Sequence, residues 1–184
     1  MNLLRNDYTA ASNWTLVRMA HGPSELFASI LLRSDGGTTA YVRRPNFHAQ
    51  RMLAQCLSGS LLRTELHSDT FSTEPLETDY LVWPGKTDVP SLEAVASLDG
   101  DKLRLVLLNR DLEKHLKTAV GLVGFTPAPG AKVRALVGDS LNATNDQAPG
   151  AVRVEESTLT GGSSFEVTLA SHSLTTVSFE RLRQ

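Results

Sequence analysis

Apolar and polar positions change rhythm along the chain, and the rhythm predicts its elements. An apolar run at Leu26–Leu32 reads as a buried strand closed by the turn Ser34-Asp35-Gly36-Gly37. Pro45 and Asn46 then open a helix. Ala49, Met52, Leu53 and Cys56 recur at i, i+3, i+4 and i+7, which places them on one face. Gly59 stands where a left-handed C-terminal cap is expected. Cys56 therefore reads as a buried core thiol. Leu61–Phe71 reads as a return to strand.

From residue 92 onward the pattern is strand-like throughout. Asp99-Gly100-Asp101 signals a hairpin turn. Leu103–Leu108 is apolar on both faces apart from Arg104, as in the middle of a sandwich. Leu116, Val120 and Leu122 point one way in an alternating stretch. Val133–Val137 follows, then Val152 and Val154 alternating with Arg153 and Glu155. Phe165, Val167 and Leu169 alternate with Ser164, Glu166 and Thr168, and Val177 and Phe179 close the pattern. Short strands with turns between them predict a mainly β fold, an antiparallel sandwich of jelly-roll type with one helix in the N-terminal half. Pro75, Pro84, Pro90 and Gly85 mark a division within residues 72–92. They set a first part, 1–72, against a sandwich at 73–184.

Composition narrows the classes. The 184 residues fall short of the roughly 250 of a complete (β/α)₈ barrel. A formal charge of −2 gives no basic excess for nucleic acid. No apolar run approaches the roughly 20 residues of a membrane span. Met1–Asp7 carries no apolar h-region of a signal peptide, which leaves the compartment open. A single cysteine excludes an internal disulfide and a zinc site built on several cysteines. Two sequons, at Asn13 and Asn142, matter only in a secreted protein.

Candidate chemistry is sparse. No G-x-S-x-G, P-loop, G-x-G-x-x-G or H-E-x-x-H occurs. No two of the five histidines stand closer than 19 residues. His67 and Asp69 share one face if they lie on a strand, where a surface pair is the simpler reading than a metal site. Asp139, Asn142, Asn145 and Asp146 form a polar cluster without EF-hand spacing, which reads as a structural turn. Glu25 and Glu65 are the carboxylates in strand-like segments, but sequence does not bring them within the roughly 5–10 Å that glycoside hydrolysis needs. Trp83 is either a sugar platform or a residue packed at the domain junction, and packing is the simpler reading. No catalytic, cofactor-binding or metal-ligating residue is assigned.

Three segments carry a family resemblance. Leu105-Val106-Leu107-Leu108-Asn109-Arg110-Asp111 resembles a strand followed by an Asn-Arg pair. Leu136-Val137-Gly138-Asp139-Ser140-Leu141-Asn142-Ala143-Thr144-Asn145 is similar to an l-x-G-x-x-l-x-A-x-N segment. His172-Ser173-Leu174-Thr175-Thr176-Val177 is similar to a closing strand. In this order they resemble the C-terminal domain of family 51 α-L-arabinofuranosidases. Tyr41–Gln50 with Leu57-Ser58-Gly59-Ser60 is similar to that family's final barrel helix, with Phe47 in place of the usual Tyr. The resemblance implies a glycoside hydrolase acting on arabinose-containing polysaccharides such as arabinan or arabinoxylan. It implies no catalytic residue here. The family's acid/base Glu follows an Asn and its nucleophile precedes a Trp, and neither dipeptide occurs.

The leading expectation is the end of a barrel plus an accessory sandwich, catalytically inactive alone, without cofactor. Its carbohydrate partner is reached through a barrel that these residues do not contain. In that family, residues before the barrel add strands to the sandwich, so exposed edges and self-association are expected of the chain alone. The alternatives are a carbohydrate-binding sandwich, a protein-interaction module, and a small hydrolase using Glu25 and Glu65.

Overall fold

The structure is a computed structural model that describes residues 16–19, 28–35, 38–146 and 148–183. Strands β1 (Val17–Met19), β2 (Ile30–Asp35) and β3 (Thr38–Arg43) form a small sheet. β1 runs parallel to β2, and β2 pairs antiparallel with β3 from Ile30↔Arg43 to Asp35↔Thr38. The expected strand at 26–32 is thus displaced. It begins at Ile30 and takes in Ser34 and Asp35, which the sequence placed in the turn. Leu26 and Phe27 lie outside the described residues.

Helix α1 (Pro45–Cys56) begins where the sequence predicts. Pro45 fits the first turn because its missing N–H needs no partner there. The Asn46 carboxamide oxygen accepts the Phe47 N–H at 3.1 Å. Gly59 has a φ of +76°, but it lies beyond the cap at Leu57. Its second role is close approach: a Cβ there collides with the Leu98 carbonyl oxygen.

Nine further strands and three short ones follow. β4 (Ser60–Leu62), β5 (Thr70–Thr73), β6 (Leu76–Thr78), β7 (Leu81–Trp83) and β8 (Lys86–Pro90) precede β9 (Leu92–Asp99). Then come β10 (Lys102–Asn109), β11 (Leu116–Gly121), β12 (Ala131–Gly138), β13 (Val152–Leu159), β14 (Ser164–Leu169) and β15 (Leu174–Glu180). Leu61–Phe71 is not one strand. Pairing stops at Leu62 because residues 63–69 are mostly polar and exposed, with no apolar alternation to hold them on the sheet.

The main sheet has the order β13-β12-β15-β10-β9-β4, with every neighbour antiparallel. β9 and β10 join through Gly100, whose φ of +57° the tight turn requires. A second sheet of β11 and β14 covers one face. Between the sheets lies the main core, with Leu103, Leu169, Val177 and Phe179 at its centre. Phe165 and Phe179 pack with ring centroids 5.1 Å apart. The other face of the main sheet carries α1. Met52 and Cys56 meet Val106, Leu136, Val152 and Leu174 there, with Ala49 and Leu53 at the margin. β10 is therefore buried on both faces, as its continuous apolar run predicts. The antiparallel sandwich with one N-terminal-half helix is the fold.

Candidate functional site

Two features stand out at the borders of the sandwich: a clasp at its junction with α1, and a slot beside β11. The clasp begins with Arg44, the residue that starts α1. Arg44 is buried, and its guanidinium holds Asp146 through both carboxylate oxygens, with Nε 3.0 Å from each and Nη2 2.5 Å from Oδ2. Asn145 completes it. Its Nδ2 donates to the carbonyls of Arg43 at 3.0 Å and Val152 at 2.9 Å, and its Oδ1 accepts the Val152 N–H at 2.8 Å. Two adjacent side chains in the β12–β13 connection thus tie the end of β3 and the start of α1 to the sandwich. The far end of the helix is fastened separately. Ser97 Oγ donates to the Cys56 carbonyl at 2.5 Å, Arg104 donates to Ser58 at 2.8 Å, and Arg134 donates to Gln55 at 2.6 Å.

The Asn-Arg pair after β10 is structural as well. Asn109 is 1% exposed. Its Nδ2 donates to the carbonyls of Lys114 at 2.9 Å and Ala170 at 2.7 Å, and its Oδ1 accepts the Asp111 N–H at 2.9 Å. Arg110 pairs with the buried Glu93 at 2.8 Å. These bonds satisfy backbone groups where two loops meet at one end of the sandwich.

The slot follows from unequal sheets. Among the described residues six strands face two, so the inner faces of β9 and β10 extend past the edge of β11. Ala96, Leu103 and Leu105 from the main sheet, Val120 from β11, and Leu62 and Leu66 at the lip enclose a cavity of about 600 Å³. β14 contributes nothing to its lining. Among the described residues no strand pairs with the outer edge of β11, so that edge offers free N–H and C=O groups. An open backbone edge beside an apolar slot is suited to an added strand with alternate apolar residues.

The residues singled out in the sequence fare differently. Cys56 is buried among apolar side chains, and burial, opposed by a weaker hydrogen bond from Thr176, pushes its thiol pKa up. A thiol reagent at mildly alkaline pH is expected to leave Cys56 unmodified in the native chain and to titrate one thiol in denaturant. Rapid native labelling counts against this burial. His67 and Asp69 lie on an irregular exposed segment, not on one face of a strand. Among the described residues no three His, Cys, Asp or Glu side chains cluster as a metal site. The polar cluster divides: Asn145 and Asp146 form the clasp, Asp139 pairs with Arg153 at 2.7 Å, and Asn142 is exposed in a turn. Glu65 is exposed and pairs with Arg63 at 2.6 Å. Glu25, His21 and Asn13 lie outside the described residues. Trp83 is 52% exposed, not packed at the junction, because the β6–β7 ribbon that carries it stands out from the sandwich. Sequence reasoning missed Arg44 altogether. Its only local signal is the position just before Pro45, and its partner is 102 residues away.

Residues 25–173 match the family described as alpha-L-arabinofuranosidase C-terminal domain. No curated protein matches the chain significantly. Among solved structures, the α-L-arabinofuranosidase from Thermotoga maritima, in complex with arabinose, is 25% identical with a TM-score of 0.70. The match covers 81% of this chain and 31% of that one. The GH51 enzyme from Thermotoga petrophila RKU-1 is 25% identical with a TM-score of 0.68, covering 81% and 31%. The family 51 enzyme from Bifidobacterium longum is 25% identical with a TM-score of 0.66, covering 84% and 29%. The chain therefore spans about a third of the length of the enzymes it matches.

Proposed function

The chain belongs to the alpha-L-arabinofuranosidase C-terminal domain family, and from that premise we propose that its residues form the accessory sandwich of a glycoside hydrolase. The hydrolase acts on arabinose-containing polysaccharides, and these residues supply neither of its catalytic glutamates. The observation that carries this reading is the extent of the match: most of this chain, and 31% of an arabinofuranosidase solved with arabinose. Residues 1–72 contribute the end of the barrel and the first sandwich strand, and 73–184 the rest of the sandwich. The clasp supports a structural role, since it joins these parts through groups committed to each other and not to a ligand. The slot beside β11 supports a sandwich completed by strands from outside these residues, and carbohydrate is reached through the catalytic barrel.

Chemistry within the described residues points the same way. A general acid needs a carboxyl kept protonated by burial. Glu65 instead lies in solvent beside an exposed arginine. Purified chain is expected to release no more aryl alcohol from an aryl α-L-arabinofuranoside than buffer does, and a Glu25→Gln/Glu65→Gln variant is expected to behave identically. Turnover that this double variant abolishes overturns the proposal and places catalysis in those carboxylates.

A further inference from the structure

Residues 70–90 form a β-ribbon that stands out from the sandwich, with β5 and β8 at its base and β6 and β7 at its tip. Every residue from 72 to 88 is exposed. The bonds that shape the ribbon are its own. The Lys86 N–H donates to Thr73 Oγ1 at 3.0 Å. Thr78 Oγ1 accepts the Leu81 N–H at 3.1 Å and donates to the Leu81 carbonyl at 3.2 Å, which closes the turn over Asp79 and Tyr80. Pro75 and Pro84 stiffen the chain between base and tip. The ribbon is therefore pre-organised by its own residues.

The pairs Leu76↔Trp83 and Thr78↔Leu81 put these four side chains on one face, while Glu77 and Val82 lie on the other. The first face thus carries an indole, two leucines and a hydroxyl, and no charge. Leu76, Leu81 and Trp83 are each about half exposed, and Tyr80 at the tip is 97% exposed. Between 72 and 88 four residues are acidic and one, Lys86, is basic. That balance disfavours anionic polymers and anionic membrane surfaces. β6 and β7 have three residues each, whereas a stable protein partner covers roughly 20–30 residues a side. A small, neutral ligand fits this face. A sugar ring stacks its C–H face on an indole, and its hydroxyls donate to nearby carboxylates and carbonyls.

We propose that the ribbon is a sugar-binding surface, on which a neutral, arabinose-bearing polysaccharide lies along the Leu76–Trp83 face with one ring stacked on Trp83. This contact is additional to the one made through the catalytic barrel and takes no part in bond cleavage. It holds the sandwich to the polymer that the barrel cuts. The identity of the sugar rests on the function proposed above, while the neutral ligand and the stacking rest on the ribbon itself. One exposed indole gives a weak contact, with a dissociation constant on the order of 1 mM.

Native electrophoresis through gels containing soluble arabinoxylan, linear arabinan or polygalacturonate tests this. Arabinoxylan or arabinan is expected to retard the chain, and the anionic polygalacturonate is not. Trp83→Ala is expected to weaken the retardation about tenfold or more, and Trp83→Tyr, which keeps an aromatic face, to retain most of it. Glu65→Ala, outside the ribbon, is expected to migrate as wild type does. Trp83 is exposed, and circular dichroism checks that its variants stay folded. A chain that neither neutral polymer retards overturns the proposal. So does retardation that Trp83→Ala leaves unchanged, or that polygalacturonate produces as strongly. These outcomes leave the accessory-sandwich reading standing, because the hydrolysis assay that tests it does not involve Trp83.

Discussion

Asp146→Ala is expected to lower the unfolding free energy by about 3 kcal/mol, because it removes the bidentate partner of a guanidinium that is nearly out of water. Asn145→Ala is expected to cost about as much. It strips partners from the Val152 N–H and C=O and from the Arg43 carbonyl, and a buried backbone group deprived of its bond loses roughly 1–3 kcal/mol. The two losses are not additive, since both side chains hold the same loop. Urea unfolding followed by circular dichroism measures them. Glu65→Ala serves as the control, because its pair with Arg63 is exposed on both sides and screened by solvent. If Asp146→Ala unfolds at the wild-type urea midpoint, the clasp does not hold α1 to the sandwich.

Phe179→Ala is expected to cost about 3–5 kcal/mol, which approaches the whole stability of many domains. Phe179 is 2% exposed, sits between the two sheets and packs on Phe165. Among the described residues two strands cover this side of the main sheet, so few side chains can close over the hole. Val123→Ala is the contrasting case. Val123 is fully solvated, and its truncation is expected to leave the midpoint within about 0.5 kcal/mol of wild type. Equal effects at the two positions refute the assignment of the core.

What was legible in the sequence and what was not differ in the distance over which each is encoded. Alternation in Phe165–Leu169 gave the inward face of β14, and the i, i+3, i+4, i+7 spacing gave the face of α1 that carries Met52 and Cys56. Each residue's polarity reports its own burial, and a strand or helix turns that report into a short period. Gly59 shows the limit. Its left-handed backbone was legible from its place after a helix, while its approach to Leu98 depends on β9, some forty residues on. The end of β4 at Leu62 was not legible, because Leu61–Phe71 reads as one strand while β4 pairs with β9 only as far as Leu62 and Phe71 pairs instead with Val89 of β8.

The candidate sites lay beyond local reading. Asp146 looked like one more polar turn residue, and only chain closure over 102 residues brings it to Arg44. Exposure of Trp83 could not be read from an apolar Leu-Val-Trp run, since polarity says a residue prefers burial and not that a surface is present to bury it. The slot beside β11 is no residue's property, arising from six strands set against two. The sequence by itself determined the elements and their buried faces, because these follow from each residue's hydrophobicity and the period of its backbone. Tertiary structure alone decided the clasp and the slot, because these depend on which distant segments meet and which strand edges are left without a partner.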